Sequence, residues 1–265
     1  MATPPGPFTV APMDRPEPGA TELVPPPGSG RRYTPSPRPV RLGDVSPKGR
    51  MRLDAVARFI QDVADDDARD ADLGGRTAWV LRRTRIRIER PPVYRERLTL
   101  TTWCSGIGAA WAERRTTLAG DRGGALETVA VWVHIDLDTG GPERLGDRFA
   151  AVYGEAASGR RVRAALVHGE PADGVTTRPW STRFTDFDVM GHVNNAVYWV
   201  AVEGEIAGRG WAGQVDAEVE FRSGVHRGDV VELATLDTNQ AAGVHMWWLV
   251  DGMARASATI APVVG

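Results

Sequence analysis

Within the stretch Thr185-Asp-Phe-Asp-Val-Met-Gly-His-Val-Asn-Asn-Ala-Val-Tyr-Trp199 stand four side chains capable of chemistry: Asp188, His192, Asn194 and Asn195. An aspartate can act as general base on water or as a nucleophile, and a histidine can hold and polarise a substrate or relay a proton. An asparagine amide such as that of Asn194 can orient a reacting group. Gly191 permits a tight entry into the helix that follows. The first-turn N–H groups of a helix lack partners within it and favour developing negative charge. A carbonyl oxygen placed there would be polarised as in an oxyanion hole. Asp and Asn are also common helix caps, and a lone His is often merely hydrogen-bonded. Two amides in a row before one helix exceed what capping needs.

The element that must position these groups is the helix predicted over His192–Ile206. Its stretch Ala196 to Val202 is apolar on every face, so the helix is expected to be buried all round. An antiparallel sheet curled about it would supply that burial. Strands are predicted over Glu218–Phe221, Asp229–Leu236, Val244–Val250 and Met253–Ile260, after an extended Arg183–Asp188.

The first half repeats this order. A helix over Arg52–Asp72 carries Leu53, Val56, Ala57, Ile60, Val63 and Ala64 at three- and four-residue spacing, and Gly74-Gly75 ends it. Its acidic run, Asp65, Asp66, Asp67, Asp70 and Asp72, reads as a solvated face. Strands follow over Thr84–Glu89, Arg97–Cys104, Trp111–Leu118 and Leu126–Leu137, read as an antiparallel meander. Superposing the halves puts Asp44 on Asp188 and Lys48 on His192, 144 residues apart, and Arg85–Val93 on Glu218–His226, 133 apart. A tandem repeat is the result: α+β, a double unit in which each half is a curved antiparallel sheet around one central helix.

Composition bounds the rest. Twelve of the 19 prolines lie between Pro4 and Pro39, so residues 1–38 read as a disordered Pro/Gly-rich tail outside the repeat, whose removal through residue 35 should leave activity intact. Residues 39–165 then form the first half and 166–265 the second, joined near Arg160–Pro179. A net charge of -2 supports neither a nucleic-acid nor a membrane-surface role. The longest apolar run, Ala196 to Val202, is far short of the roughly 18 residues a spanning helix needs. No secretory signal is seen in the tail. The lone Cys104 excludes an intrachain disulfide and reads as packing in a cytoplasmic protein. His134, His168, His226 and His245 show no metal-ligand spacing, and no dinucleotide or phosphate-loop fingerprint appears, so neither metal nor cofactor is expected.

The motif D-x-x-x-H-V-N-N-x-x-Y at Asp188–Tyr198 resembles that of the hotdog-fold thioesterases, in particular the acyl-ACP thioesterases. The resemblance extends to Val40–Val63, to Trp79–Ile88, to Thr101-Thr-Trp103 and Val131-Trp-Val133, and to Val219-Glu-Phe-Arg222, and covers about 40 to 262. It implies a tandem hotdog hydrolase that cleaves fatty acyl-acyl carrier protein, with Asp188 and His192 as the catalytic pair. Where the family has an Asn between them this chain has Met190, and where the family has a Glu-Cys pair it has Gly224 and Val225. A cysteine nucleophile at that place is therefore excluded, Asn194 is the candidate to replace the missing amide, and a water-activating Asp188 is preferred. Lys48, Arg50 and Met51 replace His192 and the two asparagines in the first half, which is expected to be degenerate and to wall the acyl channel. The apolar helix after the loop suits a long acyl chain. Arg82, Arg83, Arg85 and Arg87 with Lys48, Arg50 and Arg52 form a basic patch that would steer an acidic carrier protein. The rival readings are a 3-hydroxyacyl or enoyl thioester dehydratase or hydratase, whose His and Asp come from different halves, and a non-catalytic acyl-thioester binder. The chain could be a monomer or pair as a homodimer.

Overall fold

The computed structural model describes residues 22–73, 77–211, 214–238 and 243–263. The elements are β1 (Arg38–Pro39), α1 (Leu53–Asp70), β2 (Thr77–Arg90), β3 (Arg97–Ile107), β4 (Trp111–Gly120), β5 (Ala125–Asp136), α2 (Asp147–Ala157), β6 (Thr177–Pro179), α3 (Asn195–Gly208), β7 (Val215–Phe221), β8 (Val231–Asp237), β9 (Val244–Val250) and β10 (Met253–Pro262). One antiparallel sheet holds all ten strands in the order β1-β3-β4-β5-β2-β7-β10-β9-β8-β6. From the centre outwards the two halves read identically: β2, β5, β4, β3, β1 and β7, β10, β9, β8, β6. The α+β double hotdog is thus the observed fold. The simple meander is not: β2 skips β3 and pairs with β5, which leaves its other edge free for β7.

Alternation explains where the core sits. On β2, Thr84, Ile86 and Ile88 point to one face and Arg83, Arg85 and Arg87 to the other. The apolar face joins the buried stripe of α1 (Leu53, Val56, Ile60, Val63) and α3 (Trp199, Val202) in a single core that spans both halves. The helices also touch end to side: the half-buried Glu203 of α3 accepts the Leu53 N–H at the start of α1 (3.2 Å). This serves one of the orphan donors of that helix end. Burial of α3 is not complete, since Val200 remains 46% exposed.

The structure departs from the sequence reading in further places. The helix α2 was not anticipated; Phe149, Tyr153 and Ala157 pack against Cys104 and Ala112, with Leu73 and Trp79 alongside. The acidic face of α1 is not uniformly solvated. Asp67 is 1% exposed and accepts from Arg31 Nε (2.8 Å), Arg114 Nη1 (2.6 Å) and Tyr153 Oη (2.8 Å). The same contacts bear on the tail. Residues 1–21 lie outside the described residues, but the chain before residue 39 is held: Arg31 pairs with Asp67, Tyr33 and Thr102 exchange backbone hydrogen bonds (both 2.9 Å), and β1 pairs with β3. Proline density marks a segment that makes few ladder bonds of its own, not one that lacks partners.

The arginine face carries the seam between the halves. Arg85 grips Asp216 through Nε (2.7 Å) and Nη2 (2.6 Å), and Arg83 reaches the fully buried Glu220 (3.3 Å). Arg82 donates to the Phe221 and Arg222 carbonyls (3.1 and 3.2 Å), and Arg87 pairs with Glu89 (3.0 Å). Of the supposed basic patch, Arg83, Arg85 and Arg87 are thus charge-matched within the chain. The segment joining the halves crosses this seam. Glu220 accepts the Val167 and His168 N–H groups (2.7 and 3.0 Å), Arg83 donates to the Ala165 carbonyl (3.2 Å), and Trp247 Nε1 to that of Gly169 (2.9 Å).

Candidate functional site

Residues 184–186 form a short 3-10 turn closed by Asp186, whose carboxylate accepts the Arg183 N–H (2.7 Å). Phe187 then pairs with Val193, and a tight reversal lies between them. Asp188 donates its N–H to the His192 carbonyl (2.9 Å), and Gly191, at φ 76°, donates to the Asp188 carbonyl (3.0 Å). Asp188 and His192 are therefore main-chain partners across a turn, and both precede the helix rather than opening it. The Asp188 carboxylate accepts the Met190 N–H (2.9 Å), so the residue at 190 contributes main chain here while its side chain is 54% exposed.

Asn194 is the N-cap of α3, its Oδ1 accepting from the Ala196 N–H (2.9 Å), and its main-chain carbonyl takes the Val197 N–H (2.9 Å). Two first-turn donors are thus engaged within the chain. What Asn194 retains for other work is its amide NH2. Asn195 is the first helical residue.

The residues that sequence reasoning missed are on the loop between β7 and β8. That loop is laced to the turn: Val193 donates to the Val225 carbonyl (2.9 Å), His192 and His226 pair across a β-bridge, and Arg227 lies over the Phe184 ring (5.3 Å). His192 Nε2 sits 3.1 Å from His226 Nε2, with the rings edge to face. Asp229 Oδ2 accepts the His226 N–H (2.8 Å) and lies 3.8 Å from its Nδ1. Gly224 packs beneath: a Cβ there would fall 2.6 Å from the His192 ring. Val225 is fully buried. Under both loops lies an aromatic floor of Tyr198, Trp248, Phe221 and Trp180. Burial, followed by the nearby charges of Asp188 and Asp229, holds the Tyr198 hydroxyl well above its ordinary pKa, which places both carboxylates within electrical reach of one side chain.

The first half contains the same turn without the same groups. Val45 pairs with Met51 as Phe187 does with Val193, Gly49 has φ 73°, and Asp44 accepts the Arg41 N–H (2.8 Å) as Asp186 accepts that of Arg183. The offset is therefore 142, not 144. Asp44 corresponds to Asp186, while Ser46, Arg50 and Arg52 stand where Asp188, His192 and Asn194 stand, and Lys48 matches Met190. Arg52 donates to the Val45 and Gly43 carbonyls and to Asp54. The strand offset of 133 holds: Arg83 pairs in register with Glu220 and Arg87 with Asp216.

A crevice of about 690 Å³ opens elsewhere in the first half, lined by Leu73, Trp79, Cys104, Ala112, Trp132 and Phe149 together with charged residues of α1 and β4. Burial pushes the Cys104 thiol up to about 11, as suits a packing residue. Among the described residues, His168, Glu218 and Glu220 bring ligand atoms within 4.8 Å of one another. Glu220 already accepts from two backbone N–H groups and Arg83, so this group is built as a clamp on the joining segment. No helix of the described residues is long and apolar enough to cross a membrane.

Comparison with known proteins matches residues 34–153 to the acyl-ACP thioesterase N-terminal domain and 169–260 to the acyl-ACP thioesterase C-terminal domain. An uncharacterized protein of Mycobacterium tuberculosis is 35% identical over 182 residues, 68% of this chain and 72% of its own length. An acyl-ACP thioesterase from Bacteroides thetaiotaomicron superposes with a TM-score of 0.72 at 17% identity, over 87% of this chain and 96% of that one. A 12:0-ACP thioesterase from Umbellularia californica does so with a TM-score of 0.68 at 19% identity, over 92% and 98%. At these identities the two structures speak to fold.

Proposed function

The chain belongs to the acyl-ACP thioesterase family and is a thioester hydrolase acting on fatty acyl-acyl carrier protein, and from that premise we propose that the turn Asp188–Asn194 carries the reaction. The observation that supports this is the pairing of Asp188 with His192 across one tight turn at the mouth of the capped, apolar helix α3. In this reading the Asp188 carboxylate takes a proton from water as the oxygen adds to the thioester carbonyl. The amide NH2 of Asn194 and the field of the α3 terminus oppose the negative charge that gathers on the carbonyl oxygen. Collapse of the tetrahedral adduct breaks the C–S bond. The proton held by Asp188 passes to the departing sulfur, with His192 assisting, so a fatty acid and a carrier thiol leave and the carboxylate is restored.

The first half, with Ser46, Arg50 and Arg52 in the corresponding turn, serves as the wall of the acyl site, and its crevice, with Trp79, Trp132 and Phe149, receives the chain. A lone buried Cys104 suits a reducing compartment such as the cytoplasm. The test is thiol release across acyl-carrier-protein substrates of graded chain length. Asp188→Asn should fall by about 10²- to 10⁴-fold, and Ala112→Phe should shift the preferred length downwards. No thiol release from any substrate would overturn hydrolysis, an active Asp188→Asn would overturn the role of that carboxylate, and an unchanged length profile would remove the crevice from the acyl path.

A further inference from the structure

We infer that His226, steered by Asp229, fixes the tautomer of His192 and so acts as a positioning residue for it; this rests on the reading that His192 serves the hydrolysis. Two imidazole nitrogens 3.1 Å apart can form a hydrogen bond only if one proton lies between them. Two lone pairs, or two N–H groups, would repel. The Nε2–Nε2 contact therefore couples the protonation of the rings: whichever nitrogen donates, the other must accept.

Asp229 decides which. Its Oδ2 is tied to the His226 N–H at 2.8 Å and stands 3.8 Å from His226 Nδ1, where its charge favours a proton on that nitrogen. With Nδ1 protonated, neutral His226 offers the Nε2 lone pair, so His192 must donate through its own Nε2–H. His192 Nδ1 is then the basic nitrogen offered to the reaction. Among the described residues, the charged or titratable groups around the pair are Asp188, joined to His192 by a main-chain hydrogen bond, Asp229 on the opposing loop, Arg227 next to His226 and over the Phe184 ring, and Tyr198, which feels both aspartates. The arrangement is fixed by main chain, through the His192–His226 bridge and the Val193–Val225 hydrogen bond. His226 itself is 62% exposed at its side chain, so replacing it leaves the core untouched.

The experiment is nitrogen-15 NMR of the histidine rings, assigned by single substitution among the five histidines, together with kcat and KM. In the unaltered protein His192 should show the Nε2–H pattern, with His226 as the acceptor. His226→Ala should leave His192 as a mixture of tautomers, and lower kcat/KM about 10- to 100-fold with KM little changed. His226→Gln, whose side-chain oxygen can take the place of Nε2 as acceptor, should restore the tautomer and most of the rate. Asp229→Asn should weaken the preference without breaking the coupling. An Nδ1–H His192 in the unaltered protein, or ring signals of His192 that His226→Ala does not change, overturns the inference. The ring spectra need no turnover, so a protein inactive on every thioester would sink the hydrolase reading while the tautomer result stood on its own.

Discussion

Gly224 shows how little room the site leaves. Its Cα–H faces the His192 ring, and any side chain would push that ring out of reach of His226. The absence of a carboxylate at 224 is therefore the geometric condition for the histidine pair. Gly224→Ala should cut turnover at least about tenfold while changing stability by no more than about 0.5–1 kcal/mol, as measured by kcat and thermal melting. A mutant with native turnover would show that the ring is free to sit elsewhere. At this scale the turn proposed to carry the reaction was legible in the sequence, because Asp188, His192 and Asn194 share one short motif. His226 and Asp229 were not, since their contact with His192 joins two loops 34 residues apart through a β-bridge. The repeat alignment slipped for a similar reason. Matching aspartate to aspartate gave 144, whereas the left-handed glycines Gly49 and Gly191, whose backbone no other residue adopts easily, give 142.

Among the elements, α1 and α3 were readable from period and apolar content, with ends wrong by a few residues. The helix α2 is also amphipathic, with Phe149, Tyr153 and Ala157 on one side, but it is short, contains Gly154 and lies between the last predicted strand of the first half and the join near Arg160–Pro179. The acidic run of α1 could not be divided by sequence, because Asp67 is distinguished from Asp65 and Asp66 only by what reaches it from β4, α2 and the chain before β1. That gives a prediction about the leading segment. Deletion of residues 1–21 should leave the melting temperature unchanged. Deletion through Pro35 removes Arg31 from a buried carboxylate, along with Tyr33, and should cost about 1–3 kcal/mol. Thermal melting of the two truncations decides this; equal values would mean that Arg114 and Tyr153 satisfy Asp67 unaided.

Over the whole molecule, the two halves are complementary copies rather than equivalent ones. At offset 133, Arg83, Arg85 and Arg87 of β2 correspond to Asp216, Glu218 and Glu220 of β7. Pairing two first halves would set arginine against arginine, and pairing two second halves carboxylate against carboxylate. The seam therefore selects the tandem arrangement. Arg85→Asp alone should destabilise by about 2–4 kcal/mol, and Asp216→Arg similarly, while the double exchange should recover at least half of the loss in a denaturant-monitored cycle. Additive losses would show that the charges do not choose the partner.

The rims of the sheet carry a consequence of their own. Each outermost strand is two or three residues long and ends in Arg-Pro: Arg38–Pro39 at one rim and Thr177–Pro179 at the other. A proline has no N–H to offer an incoming strand, and so short a ladder gives a newcomer little to hold. The two Arg-Pro rims are in this respect a selvedge, a finished edge that keeps a wide sheet from unravelling into, or being knitted onto, its neighbours.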